Sequence, residues 1–439
     1  MRTNSALSAN SPPNLSAKLS RRYARDRKRL AAEKAAEGLI PNPFRAGNPL
    51  SGEQGPELFR GRETAVREIE DILADASHAA SLLLLAPRRS GKTSLLKMLP
   101  RMAPESIFVF FDLQAHPVAS AGAFWSKLVE QAMIQARRYR RVEVPPLPPG
   151  PPMEAAAAWL EKLDHLVEGR RVLIAIDEFE RLEDLFPGSR RELLQLMGLF
   201  RATIQHHRGV RLLVSGVTPF DELDRVWDDH FISARQIRLP FLDVPFLDEP
   251  TSIGLLTAPA PEFPQGTIPD EVAREVYQRT GGQPFLLQVF GSLLVSRLSD
   301  EKRQSATMDD VAAVESRVFE WAEGYFRDMY RSAPERARDA LADLSQGKPA
   351  ELSPATRRWL AQRYLLRIRA EITWSFLPWK NPVIPLAVEL RLLHIQPFHD
   401  LVWDLYSGWI DLRIEAALDS QSGFGGGIAN QVHDDLVTF

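Results

Sequence analysis

Residues 81–99 read SLLLLAPRRSGKTSLLKML. The run Ser81–Leu85 is apolar, too short for a helix and followed by Pro87, so it predicts a buried strand. Lys92 to Leu99 predicts a helix that ends near Pro100. Between them the octet Ala86-Pro87-Arg88-Arg89-Ser90-Gly91-Lys92-Thr93 turns the chain from strand to helix. In that setting the N–H groups of the loop and of the first helical turn converge at the positive end of the helix dipole, where a phosphate is favoured. Lys92 then reaches β- and γ-phosphate oxygens, and the Thr93 hydroxyl can hold Mg²⁺. Ala86 stands where this pattern usually has its first glycine. One methyl group is a small addition at that turn, so the loop is still expected to form. The alternative is a chance basic turn containing a GKT triplet, and the flanking strand and helix argue against it.

A second motif lies further along. Val172-Leu173-Ile174-Ala175-Ile176-Asp177-Glu178 is an apolar strand that ends in two carboxylates. Buried beside the phosphate loop, such a strand brings Asp177 to the Mg²⁺ position, directly or through water. Glu178 is next on the backbone and is the candidate to orient and deprotonate an attacking water. Alone, Asp-Glu after an apolar strand is commonplace. Its pairing with the upstream loop gives it meaning.

Around these two motifs the pattern alternates. Ser106–Leu113, Arg171–Ile176, Arg211–Ser215 and Gln236–Leu239 read as further strands. Helical segments at Glu63–Ala76, Gly122–Tyr139, Met153–Val167 and Arg190–Gln205 are interleaved with them, and Pro145–Pro152 is a proline-rich loop. Strands separated by helices predict an α/β fold, a parallel sheet with helices on both faces. After Phe246 the segments are helical, near Pro250–Leu256, Asp270–Gln278, Phe285–Leu298 and Met308–Tyr330. Helix Glu335–Leu344, a Gly347-Lys348-Pro349 turn, helix Ser353–Tyr364 and strand-like Leu366–Phe376 follow in winged-helix order.

The expected organisation is a basic, partly disordered arm at 1–40, a P-loop domain at 41–245 and an all-α lid at 246–332. A winged-helix-like domain at 333–415 and a glycine-rich, flexible tail at 416–439 complete it.

On these residues the sequence resembles AAA+-related P-loop ATPases, in particular the STAND class of signalling NTPases and the archaeal-type ATPases close to it. Four motifs over residues 42–300 carry the resemblance. Asn42-Pro43-Phe44 with Phe59-Arg60-Gly61-Arg62-Glu63 is similar to the family's entry motif, which implies Gly61 and Arg62 at the border of an adenine pocket. Pro87 through Ser94 and Leu95 is similar to its phosphate loop, and Ile176-Asp177-Glu178 to its Walker B segment. Thr280-Gly281-Gly282-Gln283-Pro284-Phe285 is similar to the Gly-x-Pro motif that opens the nucleotide-facing helix of the lid, with Pro284 near base or ribose.

The resemblance implies ATP and Mg²⁺ as ligands and slow ATP hydrolysis. It places Ser215, with Thr218 as a second candidate, at sensor 1, where it joins Glu178 and Lys92 in acting on the γ-phosphate. Arg235 is the weaker counterpart of an arginine finger. It also implies a nucleotide-controlled molecular switch with a protein partner or self-association, in which the winged helix packs as an internal lock. The competing expectation is a DNA-associated ATPase that loads or remodels a nucleoprotein complex. Arg357, Arg358 and Arg363 on the second helix of the wing module, together with the basic arm, would then meet phosphates. The family's repeat sensors and effector domains are not seen in this sequence.

Composition agrees with this reading. Across 439 residues, 44% hydrophobic and 25% charged is the balance of a globular chain with room for about three domains. A net charge of −3 argues against a surface that coats nucleic acid throughout, and it favours the lock over DNA. The absence of cysteine excludes disulfides and thiolate zinc sites and is compatible with a reducing cytoplasm. Ser20-Arg21-Arg22-Tyr23 lacks the apolar stretch of an export signal behind it, and no run is long enough to cross a bilayer. The basic stretch Lys18–Arg29 reads first as a solvated arm. The late aromatics Trp374, Trp379, Phe398, Trp403, Tyr406 and Trp409, with His394 and His399, read as core or interface. His206 and His207 lack metal-ligand spacing.

Overall fold

Among the described residues five strands form one sheet: β1 (Leu82–Leu85), β2 (Ile107–Asp112), β3 (Val172–Asp177), β4 (Val210–Gly216) and β5 (Arg235–Arg238). They lie in the order β2-β3-β4-β1-β5, every neighbouring pair parallel. The computed structural model describes residues 25, 26, 29, 39–74, 82–116, 118–166, 171–182, 190–217, 235–238, 249–345 and 352–362. The helices are α1 (Glu63–Ala74), α2 (Lys92–Met102), α3 (Ala121–Arg140), α4 (Pro152–Leu166) and α5 (Arg190–His206). They continue with α6 (Glu249–Thr257), α7 (Asp270–Thr280), α8 (Pro284–Asp300), α9 (Met308–Arg331), α10 (Glu335–Ser345) and α11 (Pro354–Gln362).

Side chains alternate across the pleat, so each strand supplies two separate cores. Ile107, Val109, Phe111, Ile174, Ile176, Leu212 and Val214 face Phe124, Trp125, Trp159, Leu196 and Phe200 of α3, α4 and α5. Leu82, Leu84, Phe108, Leu173 and Leu213 face Val66, Ile69, Leu95 and Leu99 of α1 and α2 on the other side. Both faces are dry, which explains why the strands read as unbroken apolar runs.

The chain forms two compact units. The first comprises Met1–Leu239 with Gly254–Ile268 and Val295–Ala306, and the second comprises Pro240–Ile253, Pro269–Leu294 and Thr307–Phe439. Within the first, Phe44 meets Phe263 edge-on at 6.0 Å, and Arg60 donates to the carbonyls of Gly254 at 2.8 Å and Ala258 at 2.5 Å. Within the second, α7 packs on α9, and Arg279 bridges Glu275 at 2.8 Å and Glu315 at 2.7 Å. A capping box opens α9, the Thr307 N–H donating to Asp310 Oδ2 at 2.8 Å. Helices α10 and α11 pack together.

One expectation changes. The helix after the phosphate loop runs through Pro100 to Met102 instead of stopping before the proline. Pro100 lies in the last turn, where only one internal hydrogen bond is forfeited. Arg140 takes up the carbonyls there, donating to Pro100 O and Ala103 O at 2.8 Å and to Ser106 O at 2.7 Å. Of the basic arm, Arg25, Asp26 and Arg29 are described, and they are helical. Thr218, Arg363, the strand-like Leu366–Phe376, the late aromatic cluster and the tail lie outside the described residues, as does the side chain of Arg358. No described helix is long and apolar enough to cross a membrane.

Candidate nucleotide site

Parallel strands bring their C-terminal ends to one edge of the sheet. The register places Asp177 of β3 beside Ser215 of β4, and Ser215 beside Leu84 of β1. The chain leaves β1 one residue later and enters the loop Ala86–Gly91. The two sequence motifs therefore arrive at the same edge, on strands separated by β4, whose tip carries Ser215.

The loop is shaped by two left-handed residues, Arg89 (φ 64°) and Gly91 (φ 97°). Space around Gly91 is open: a Cβ there would meet nothing within 4 Å. The amides of the first turn of α2 have no partner inside their own helix, the first intrahelical bond running from Leu95 N to Gly91 O at 2.9 Å.

Lys92 is buried and its ammonium donates to Ala86 O at 2.7 Å and Pro87 O at 3.1 Å. Burial pushes that ammonium below the usual lysine range, and the nearby charges of Asp177, Glu180 and Glu178 act against the push. Thr93 Oγ1 donates to Asp177 Oδ2 at 2.7 Å, and Asp177 is itself almost fully buried. Its other oxygen accepts the Glu178 N–H at 3.2 Å.

Glu178 has a left-handed backbone (φ 59°) and lies 3.9 Å from Arg181. This position is half-open to solvent, so the ion pair is weak. The hydroxyls of Ser90 and Ser215 are buried and have no partner among the described residues. Such atoms are costly unless a ligand or water satisfies them. This donor set fits a triphosphate with its divalent cation: one buried ammonium, two idle hydroxyls, a hydroxyl–carboxylate pair and first-turn amides that no helical bond uses.

The remaining expected residues divide. Arg62 is buried, donating to Ser90 O at 2.9 Å and Gly61 O at 3.1 Å, so it grips the phosphate loop from behind. Ser94 faces away from the loop's mouth, its hydroxyl accepting the Leu50 N–H at 3.0 Å. Arg89 donates to Gly47 O at 3.0 Å, and both Arg88 and Arg89 are exposed. Pro284 opens α8 in the second unit. Arg235 is the first residue of β5, opposite Leu82, and so sits at the end of the sheet away from the phosphate loop.

One residue at the site was not anticipated. Glu180, in the 3₁₀ turn Phe179–Arg181, accepts the Val217 N–H at 3.2 Å. The only hint in the sequence was its spacing two positions after Glu178. Among the described residues, no cluster of histidines and acids of the kind that holds a metal by itself is present.

Residues 74–223 match the model of the AAA domain family. The fold is similar to that of the Walker-type ATPase PABY2304 of Pyrococcus abyssi, at 15% identity and a TM-score of 0.50, covering 81% of this chain and 99% of that one. It is also similar to the ORC2 protein of Aeropyrum pernix (13% identity, TM-score 0.47, 84% and 99% covered). A third likeness is Cdc6p of Pyrobaculum aerophilum (13%, 0.42, 81% and 97%). No curated protein matches the sequence. The fold is P-loop NTPase-like, a parallel sheet with helices packed on its faces.

Proposed function

We propose that this protein is an ATP-binding, Mg²⁺-dependent ATPase that acts as a nucleotide-controlled switch. One observation carries the reading: the 2.7 Å pairing of the Thr93 hydroxyl with the Asp177 carboxylate, beside the buried Lys92. In this reading Lys92 exchanges its hydrogen bonds to Ala86 and Pro87 for β- and γ-phosphate oxygens. Residues Ala86 to Ser94 surround the phosphates, chiefly through backbone N–H groups. Thr93 and Asp177 hold Mg²⁺, which when bound neutralises charge on the phosphate oxygens. Glu178 turns from Arg181 toward the attacking water and accepts its proton. Ser215 donates its idle hydroxyl to the γ-phosphate. Gly61 and Arg62 border the adenine. The helices of 246–332 serve as lid and those from 333 as a winged-helix lock, in a cytoplasmic protein of the STAND or archaeal-type group that works with a protein partner or by self-association.

The test is thermal unfolding and native mass with ADP and with a non-hydrolysable ATP analogue, each with Mg²⁺. At a hundredfold excess over Kd, binding stabilises the fold by about 2.7 kcal/mol. Lys92→Ala should lose that gain, and a retained gain would remove the site as drawn. A nucleotide-dependent change in subunit number supports switching by assembly.

A second reading is a DNA-associated ATPase that uses its basic arm and a winged helix from 333 onward to load or remodel a nucleoprotein complex. DNA binding that weakens steeply with salt and is lost without residues 1–40 would favour it. No binding at low salt would dismiss it.

A further inference from the structure

The turn after β3 and the tip of β4 are joined by one side chain. Glu180 Oε1 accepts the Val217 N–H at 3.2 Å. Its Oε2 is buried without a partner among the described residues and lies against Gly216, where an added Cβ would collide with it and with the ring of Phe179. Phe179 is fully buried and has little room to retreat. Gly216 in turn offers its carbonyl to the N–H of Ala86, the first residue of the phosphate loop, at 3.4 Å. A connected path therefore runs from the turn bearing Glu178, through the carboxyl of Glu180 and the end of β4 bearing Ser215, to the start of the loop bearing Lys92.

We propose that Glu180 is a positioning residue for ATP turnover. It fixes the Glu178 turn to the Ser215–Val217 tip, so that the groups flanking the γ-phosphate from two strands keep one spacing. It touches no reacting atom in this role, and the inference rests on the ATPase reading given above. Small displacements of reacting groups are costly, about a hundredfold in rate for 1 Å. Loss of the tie should therefore appear in kcat and leave ATP affinity nearly intact. Glutamine retains a carbonyl oxygen able to accept from Val217, whereas alanine does not.

The experiment compares wild type, Glu180→Ala, Glu180→Gln and Gly216→Ala in three readouts: steady-state ATP hydrolysis, affinity for a fluorescent non-hydrolysable analogue, and amide hydrogen exchange of the peptide spanning 210–217. Glu180→Ala should lower kcat about tenfold to a hundredfold at nearly unchanged affinity. It should also speed exchange in that peptide, and Glu180→Gln should recover most of both losses. Gly216→Ala, which displaces Glu180 without removing it, should repeat the alanine result. The proposal is overturned by wild-type kcat in Glu180→Ala, by Glu180→Gln as inactive as alanine (which would make Glu180 an acid–base group), or by unchanged exchange in Glu180→Ala. If Glu180→Ala fails to fold, Glu180→Met, which keeps the bulk of the side chain but has no oxygen to accept from Val217, decides by the same criteria. Should wild type bind no analogue, the ATPase reading falls, and the exchange data still judge the tie on their own.

Discussion

Arg62, at the head of α1, hands a guanidinium N–H to the carbonyl of Ser90 in the phosphate loop at 2.9 Å. The loop's outer face is thus held by a buried cation that arrives from a separate segment, and its inner face is left to the ligand. Replacing Arg62 with alanine orphans the carbonyls of Ser90 and Gly61, each at a cost of about 1–3 kcal/mol. The expected outcome is a melting temperature lower by several degrees and an analogue affinity reduced about tenfold. Lysine should not rescue, since a single ammonium cannot span both acceptors in the guanidinium's fork. Calorimetry and titration check both points, and an affinity equal to wild type would separate Arg62 from the site.

Glu178→Gln addresses a different step. The amide fills the same space but cannot accept a proton, so binding should persist while turnover falls about 10²–10⁴-fold. Rapid-quench hydrolysis with bound nucleotide measured in parallel checks it. Persistent turnover would transfer the base role elsewhere.

Arg140 predicts a purely structural effect. Its three donations to Pro100, Ala103 and Ser106 close the end of α2 and the entry to β2. Arg140→Ala should destabilise by about 2–4 kcal/mol through the Pro100 and Ser106 carbonyls that lose their donor, read by urea unfolding; Ala103 O keeps the Ser106 N–H. Analogue affinity, corrected for folded fraction, should stay at the wild-type value. A selective loss of affinity would show that α2 transmits strain to the loop.

The Glu180 carboxyl has a pH signature. Burial raises it above the ordinary glutamate range; its own backbone N–H opposes the rise, the charge of Glu178 adds to it, and the Val217 N–H and Lys92 oppose it. A carboxyl whose folded pKa exceeds its unfolded value near 4.5 favours the fold below that value, and this contribution fades as pH climbs through the raised one. Relative to Glu180→Gln, wild type should therefore lose stability as pH rises from about 4.5 toward neutrality. Paired melts at pH 4.5, 5.5, 6.5 and 7.5 test the trend, and a constant difference would mean the carboxyl titrates normally.

The sheet was largely legible because strands buried on both faces are apolar at every position, as Val172–Ile176 and Leu212–Val214 are. Their order was not, since the pairing of Leu84 with Ser215 and Ile237 is fixed by topology and leaves no period in the sequence. The same division holds at the site. Lys92, Thr93 and Asp177 stood out because phosphate and Mg²⁺ chemistry demands those side chains after a strand. Arg140 and Glu180 were invisible because each bonds distant backbone, and any arginine or glutamate on a surface-like stretch looks alike. Pro100 misled by its usual meaning: a proline's penalty in a helix depends on the distance to the helix end, which the local sequence does not reveal.

The place of β1 in the sheet bears on how the protein is made. Leu82–Leu85 leaves the ribosome well before the partners it lies between, Leu213–Gly216 and Arg235–Arg238. Until those arrive, a nascent chain carries a finished GKT loop with no neighbouring strand to dock on and a leucine-rich edge exposed to chaperones. Pairings of such long sequence separation form slowly. On the function proposed above, the ability to hold nucleotide should thus appear abruptly in translation, once β5 has cleared the exit tunnel.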